Sequence, residues 1–198
     1  MTYTELAKAA VESYINEIKT IPPPENLEEN FKRRAGVFVT IEKNGELKGC
    51  IGTYLPLRQN IAEEIIHNAI FAASEDYRFG PIQKKELPYL SYTVYILNEP
   101  ELVLIKEVSD PPKFFFEKLR RAKLDPKKYG IIVKTAPISS SGDVVFNGHF
   151  VPKSGLLLPD LKEVDTIEQQ MSIACQKGSI DPSKEKIIIY KFKVEKHS

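Results

Sequence analysis

The dipeptide Asn44-Gly45 constrains the fold of this chain more than any other feature, because it separates two apolar, β-branched segments by only two residues. Asn-Gly favours the positive φ angles of a tight hairpin turn. The first predicted strand covers residues 37–41 and the second covers residues 47–54. Since a two-residue hairpin joins antiparallel strands, the sequence predicts an antiparallel sheet.

Helical and strand patterns alternate irregularly along the rest of the chain. Helical spacing of apolar residues predicts a first helix from about residue 7 to 18 with Thr4 as its cap, and a second helix that begins after Asn60. The remaining predicted elements are helices over 114–123 and 165–177 and strands over 90–97, 130–134, 144–151 and 187–194. No regular βαβ repeat connects them, so the predicted fold class is α+β, an antiparallel sheet flanked by helices.

Composition excludes several classes of protein. The 198 residues carry 28 Lys+Arg and 27 Asp+Glu, a net charge of +1, so no long-range field attracts nucleic acid or a membrane surface. No apolar run reaches the length of a membrane span, and the first residues lack the pattern of a signal peptide. With Cys50 and Cys175 as its two cysteines, the chain lacks a disulfide framework, and the expected location is the cytoplasm.

The segment around Cys50 carries the strongest chemical signal. Gly49 and Gly52 leave the surroundings of the thiol sterically open, and Lys48 supplies a positive charge that favours the thiolate. Cys50 is therefore the candidate nucleophile or ligand-contacting thiol. Counting back from the hairpin turn pairs Cys50 with Val39, which favours the alternative that Cys50 is a small buried hydrophobe in a strand inside the sheet.

Three further residues extend the candidate site. Asp76 and Arg78 stand two residues apart where the second helix gives way to a loop, and they can either pair with each other or frame an anion. A nucleophilic cysteine needs a base, and His149 is the one candidate among the three histidines. The sequence itself does not bring His149 near Cys50.

Other chemistry has little support. The chain has no Cys-x-x-Cys, no His pair at helical spacing and no Gly-rich phosphate loop, so we expect neither a metal nor a cofactor. The three leucines between Gly155 and Pro159 are typical of core packing. A basic run from Lys118 to Lys128 beside three phenylalanines could bind RNA, although a solvated helix face explains the same pattern.

The motif Leu47-Lys48-Gly49-Cys50-Ile51-Gly52 resembles the signature Leu-Arg-Gly-Cys-Ile-Gly of the AMMECR-type domain family, with Lys48 in place of arginine. Five further segments resemble that family in the same order, namely Asp76–Pro81, Glu86–Pro88, Tyr129–Val133, Gly155–Pro159 and Cys175–Gly178. The resemblance implies that residues 1–198 form one domain, with a larger lobe from both chain ends, a smaller lobe from the middle and a cleft between the lobes.

The resemblance also implies that Asp76 and Arg78 line the cleft near the cysteine motif. Microbial members of the family often occur beside Memo-like proteins and radical enzymes that use S-adenosylmethionine, which implies a partner in such a pathway. Two hypotheses for function follow. The protein is an enzyme that holds a small polar substrate in the cleft with Cys50, or it is a non-catalytic adaptor whose cleft binds a partner protein. RNA binding through residues 118–128 is a third.

Overall fold

The computed structural model describes residues 1–136 and 151–198 of the chain. The α-helices are α1 (Tyr3–Glu17), α2 (Glu29–Lys32), α3 (Ile61–Ser74), α4 (Pro112–Arg121) and α5 (Ile167–Lys177), and a 3₁₀ helix covers Lys84–Tyr89. The strands are β1 (Val37–Lys43), β2 (Glu46–Thr53), β3 (Leu90–Leu97), β4 (Glu101–Lys106), β5 (Gly130–Thr135), β6 (Ser154–Leu157), β7 (Ile187–Phe192) and β8 (Val194–His197).

The strands form two four-stranded sheets, ordered β2-β1-β3-β8 and β4-β7-β5-β6. The pairs β1–β2, β1–β3, β4–β7, β5–β6 and β5–β7 are all antiparallel. Helices pack against each sheet, so the predicted α+β class is confirmed. The chain divides into two compact units, of which the first comprises Met1–Asn98 with Glu195–Ser198 and the second comprises Glu99–Val194.

The core of the first unit lies between the sheet and two helices. The buried face of β1 carries Val37, Val39 and Ile41, and helices α1 and α3 pack over it. The capping pattern of α3 is as predicted, because the N–H of Glu63 donates to the Asn60 side chain at 2.9 Å. The N-cap of α1 is Thr2 rather than the predicted Thr4, since its hydroxyl accepts from the Glu5 N–H and so closes a capping box.

The second unit has its own core. Helices α4 and α5 bury one face each against β5, β6 and β7, and the buried members of this core include Leu119, Ile131, Leu157, Ala174 and Ile189. The predicted strand over residues 187–194 is wrong in one respect, because β7 ends at Phe192 and β8 begins at Val194 in the other sheet. Residues 144–150 of the predicted strand over 144–151 lie outside the described residues, and Val151 is not part of a strand.

The hairpin turn is confirmed, but its strands pair in an unexpected register. Asn44 and Gly45 both have positive φ, as a type I′ turn requires, and Lys43 pairs with Glu46. Beyond Ile41 the register shifts, and Lys48 is the extra residue of a β-bulge. The prediction that β2 lies inside the sheet is also wrong, since β2 is an edge strand.

Candidate functional site

Cys50 lies on the face of β2 that points away from the core of the first unit. The bulge pairs Cys50 with Thr40 and pairs Val39 with Ile51, so Cys50 does not share a face with Val39 as the simple count predicted. Alternate residues of a strand point to opposite faces, and the valines of β1 are buried. Cys50 is accordingly half-buried rather than sealed in the core. The interpretation of Cys50 as a core hydrophobe is therefore wrong.

Thr40 contacts the thiol directly. Its hydroxyl donates a hydrogen bond to Cys50 Sγ across 3.2 Å. Residues that face each other without exchanging backbone hydrogen bonds have the closest side chains in an antiparallel pair. Cys50 and Thr40 form such a pair, because the N–H and C=O of Cys50 point outward from the sheet edge.

Asp76 and Arg78 occupy that outward side and bind the backbone of Cys50. Asp76 Oδ2 accepts from the Cys50 N–H at 2.8 Å, and Arg78 Nη2 donates to the Cys50 carbonyl oxygen at 3.1 Å. The two side chains also form a bidentate ion pair, with Nη2–Oδ2 at 2.6 Å and Nε–Oδ1 at 2.9 Å. We call this arrangement the Asp76–Arg78 clamp. It brings together three of the residues that the sequence placed in one site.

The electrostatics of the clamp follow from its hydrogen bonds. Burial pushes the pKa of Asp76 up, but hydrogen bonds from the Arg78 guanidinium and from the Cys50 and Arg78 N–H groups outweigh it, so this pKa lies below its ordinary value. The pKa of Arg78 is raised, chiefly by its hydrogen bond to Asp76, with a smaller contribution from the charge of a Cys50 thiolate. The carboxylate is 4% exposed and the guanidinium side chain is 37% exposed, so the pair is only half solvated.

Gly49 and Gly52 have steric roles in this arrangement. A Cβ on Gly49 would overlap the carbonyl oxygen of Ala72, because β2 lies directly on the backbone of α3. A Cβ on Gly52 would overlap the Val37 carbonyl oxygen. Both glycines therefore allow close backbone packing around Cys50.

Lys48 lies on the bulge and faces a different carboxylate. Its Nζ is 3.9 Å from Glu86 Oε1, which also accepts a 2.8 Å hydrogen bond from Lys43. The Lys43 hydrogen bond is the main reason that the pKa of Glu86 is lowered. Arg78 is a cation that directly contacts Cys50, through the carbonyl oxygen.

The other residues singled out by the sequence lie elsewhere. His149 lies outside the described residues. Cys175 is buried on α5, where burial first and Glu185 second raise the pKa of its thiol to about 11. Leu157 and Leu158 are buried, in line with core packing.

The basic run belongs to the second unit and is largely neutralised. Four of its six basic side chains form ion pairs, which are Lys118–Asp110, Arg120–Glu168, Lys127–Asp165 and Lys128–Asp125. This pairing favours the solvated helix face over RNA binding.

Sequence reasoning missed Thr40 and Glu86 as neighbours of the motif. The bulge that brings Thr40 opposite Cys50 leaves no mark in the hydrophobic pattern. Glu86 had a usable signal, since it stands three residues after Gln83 as in a capping box. Among residues 1–136 and 151–198, no cluster of three or more His, Cys, Asp or Glu is arranged to hold a metal ion. In the same part of the chain, no helix combines the length and apolar character of a membrane span.

The protein is an α+β protein in which the second strand of a β-hairpin carries a half-buried cysteine. The AMMECR1 family model matches its residues 4–197. The chain therefore belongs to the AMMECR1 family, as its motifs predicted. A protein of Thermotoga maritima is 41% identical over 197 residues, which cover 98% of this chain and 96% of that protein. The crystal structure of uncharacterized protein PH0010 from Pyrococcus horikoshii has a TM-score of 0.71 at 28% identity, covering 98% of this chain and 88% of that one.

One relative is much longer than this chain. A protein of Clostridium acetobutylicum is 39% identical over 197 residues, which are 98% of this chain but 35% of that protein. In that relative the matched region is therefore one part of a larger polypeptide.

Proposed function

We propose that the protein is an enzyme that acts on a small polar substrate at the exposed side of Cys50, with the Cys50 thiol as its nucleophile or its substrate-contacting ligand. One observation carries the proposal. Cys50 is turned away from the core and is held from three directions, by Thr40 at its sulfur, Asp76 at its N–H and Arg78 at its carbonyl oxygen. Backbone groups of any residue need partners, but a cysteine that only fills space does not need a hydrogen bond to its sulfur.

The neighbouring groups have distinct roles in this proposal. The Thr40 hydroxyl that donates to the sulfur and the positive charge of Arg78 both favour the thiolate, which is the reactive form. Asp76 holds Arg78 and the Cys50 backbone in place, and Arg78 holds the Cys50 carbonyl oxygen, so Asp76 and Arg78 are positioning residues. The exposed part of Arg78 can also contact an anionic group of the substrate. Lys48 and Lys43 both lie beside the carboxylate of Glu86, and two lysines against one carboxylate add positive charge at the bulge. His149 remains the candidate base.

Alkylation of a single-thiol protein tests this proposal. In the Cys175→Ser variant, Cys50 is expected to react with iodoacetamide at neutral pH about tenfold faster than a free cysteine thiol. Thr40→Val and Arg78→Gln are each expected to slow the reaction several-fold, because each removes a group that stabilises the thiolate. The measurement is the pseudo-first-order rate as a function of pH.

Two controls accompany the alkylation experiment. Arg33→Gln removes a surface charge that pairs with Glu195 and leaves the contacts of Cys50 intact, so its rate should be unchanged. The Cys50→Ser protein should react slowly, since Cys175 is buried with a raised pKa. A Cys50 that reacts no faster than a free thiol would remove the nucleophile from the proposal.

Partner binding is the second candidate function. Tyr77 stands between the two residues of the clamp and its side chain is 95% exposed. Tyrosine is enriched among binding hot spots. The matched region of the Clostridium acetobutylicum relative adjoins a larger remainder of that protein, which supports action beside another domain. A Memo-like protein or a radical S-adenosylmethionine enzyme would be such a partner.

Binding to a purified Memo-like protein distinguishes the two functions. An adaptor is expected to lose about 30-fold or more in affinity on Tyr77→Ala, by the usual size of a hot spot, and to keep its affinity on Cys50→Ser. Isothermal titration calorimetry measures both. Full retention of affinity in Tyr77→Ala would exclude this surface as the docking site.

A further inference from the structure

A second candidate site lies along α3. A cavity of about 440 Å³ opens there, and its lining joins α3 to the segment that follows α1. Its volume falls within the range of small-molecule sites. Ile66 and Ile70 of α3 and Ile21 of the following segment contribute apolar surface. Cys50, Asp76 and Arg78 are not among its lining residues, so this cavity is separate from the site proposed above.

Two aromatic rings line this cavity one helical turn apart. His67 and Phe71 stack with their ring centroids 4.3 Å apart and their planes at 20°. The side chain of His67 is half-buried, and both rings contribute to the lining. Aromatic surface favours a ligand with a flat ring.

The charges around the rings decide which flat ligand fits. Burial lowers the pKa of His67, the positive charge of Arg58 lowers it further, and Glu64 acts in the opposite direction. The imidazole is therefore neutral at pH 7 and offers one donor and one acceptor nitrogen. Glu63 and Glu75 also line the cavity.

The two carboxylates of the lining lie far apart, and the end of the cavity that carries Arg58 can accept an anion. Glu75 lies twelve residues beyond Glu63, or about 18 Å along the helix, so it is remote from Arg58. Glu63 accepts a hydrogen bond from the Gln59 N–H at 3.3 Å. Arg34 and Arg58 together line an adjoining cavity of about 500 Å³ that includes Glu63. The Glu64 carboxylate, which accepts from the Arg58 backbone N–H at 2.7 Å, also lies at this end, so two guanidinium groups face two carboxylates. Within the described residues the guanidinium of Arg58 has no hydrogen bond or ion pair of its own, so it is open to an anion.

We propose that the α3 cavity binds a small planar aromatic acid. The ring of the ligand packs against His67 and Phe71, its carboxylate pairs with the guanidinium of Arg58, and the apolar side chains of α3 enclose the remainder.

NMR titration of the whole protein tests this proposal with three matched probes. Indole-3-carboxylate is expected to bind more tightly than neutral indole-3-carboxamide, and tryptamine is expected to bind least. The bound carboxylate should also raise the pKa of His67, because its charge counteracts that of Arg58. The imidazole resonances report this, and a His67→Gln variant assigns them. Preference for tryptamine, or no shift of the His67 resonances at millimolar carboxylate, would overturn the proposal.

Variants then separate the two contacts. Arg58→Gln is expected to weaken carboxylate binding about tenfold while changing carboxamide binding less than about twofold. Arg33→Gln removes the same charge from a residue outside the cavity lining and should change neither affinity. Phe71→Leu should weaken both probes to a similar extent. An equal loss in Arg33→Gln and Arg58→Gln would refute a direct contact, and unchanged affinities in Phe71→Leu would refute the ring contact.

Discussion

Replacement of Gly49 by alanine is expected to destabilise the first unit by about 3 kcal/mol or more. A Cβ at this position would overlap the carbonyl oxygen of Ala72, which is backbone within α3 and cannot rotate away. The strand and the helix must therefore move apart, and the buried neighbours of Gly49 lose contacts. Urea unfolding at neutral pH, monitored by far-ultraviolet circular dichroism, measures the loss.

Gly80→Ala is the matched control for this change. Gly80 is exposed, and a Cβ there has no heavy atom within 4 Å. Its free energy of unfolding should change by less than about 0.5 kcal/mol. If Gly49→Ala were as mild as Gly80→Ala, the close approach of β2 to α3 would be incorrect.

Replacement of Asp76 by alanine is expected to destabilise the protein by about 3 kcal/mol. The change leaves the Cys50 N–H and the guanidinium of Arg78 without their carboxylate at a site where the side chain of Asp76 is 4% exposed. Asp165→Ala is the control, since Asp165 is exposed and pairs with Lys127, and a solvent-exposed ion pair contributes little to stability.

The Asp76 contribution should also depend on pH. The pKa of Asp76 is lower in the folded protein than its ordinary value of 3.8. Its stabilisation is therefore fully present above pH 3.8 and is lost as the pH falls through the lower folded-state pKa. The difference in unfolding free energy between wild type and Asp76→Ala should shrink over that range. If this difference stayed constant as the pH fell below the folded-state pKa of Asp76, the charge of the carboxylate would not contribute to stability.

The hairpin shows how far sequence reasoning reaches. Asn44-Gly45 determined the turn type and the antiparallel sheet, because the preference of these two residues for positive φ is local. The face of Cys50 was predicted wrongly, because the bulge at Lys48 moves the register by one residue. A bulge depends on how both strands pack on α3, and the alternation of apolar residues in one strand does not record it.

The short strands β4 and β6 were missed for a related reason. They have six and four residues and lie at the two edges of the second sheet, where alternation is brief. The pairing of Asp76 with Arg78 was one of two alternatives in the sequence, and the structure shows that pairing. Their hydrogen bonds to the Cys50 backbone could not be predicted from the sequence, because these bonds depend on the three-dimensional contact between the end of α3 and β2. The cavity beside His67 had one sequence signal, the spacing of four residues between His67 and Phe71.

The clamp has a consequence for self-association. An edge strand with unpaired N–H and C=O groups is a template on which another polypeptide can add by backbone pairing. At Cys50 two side chains already occupy these groups, so an incoming strand would have to displace an ion pair to continue the sheet. The clamp thereby protects the outer edge of β2 from pairing with another chain and so from aggregation.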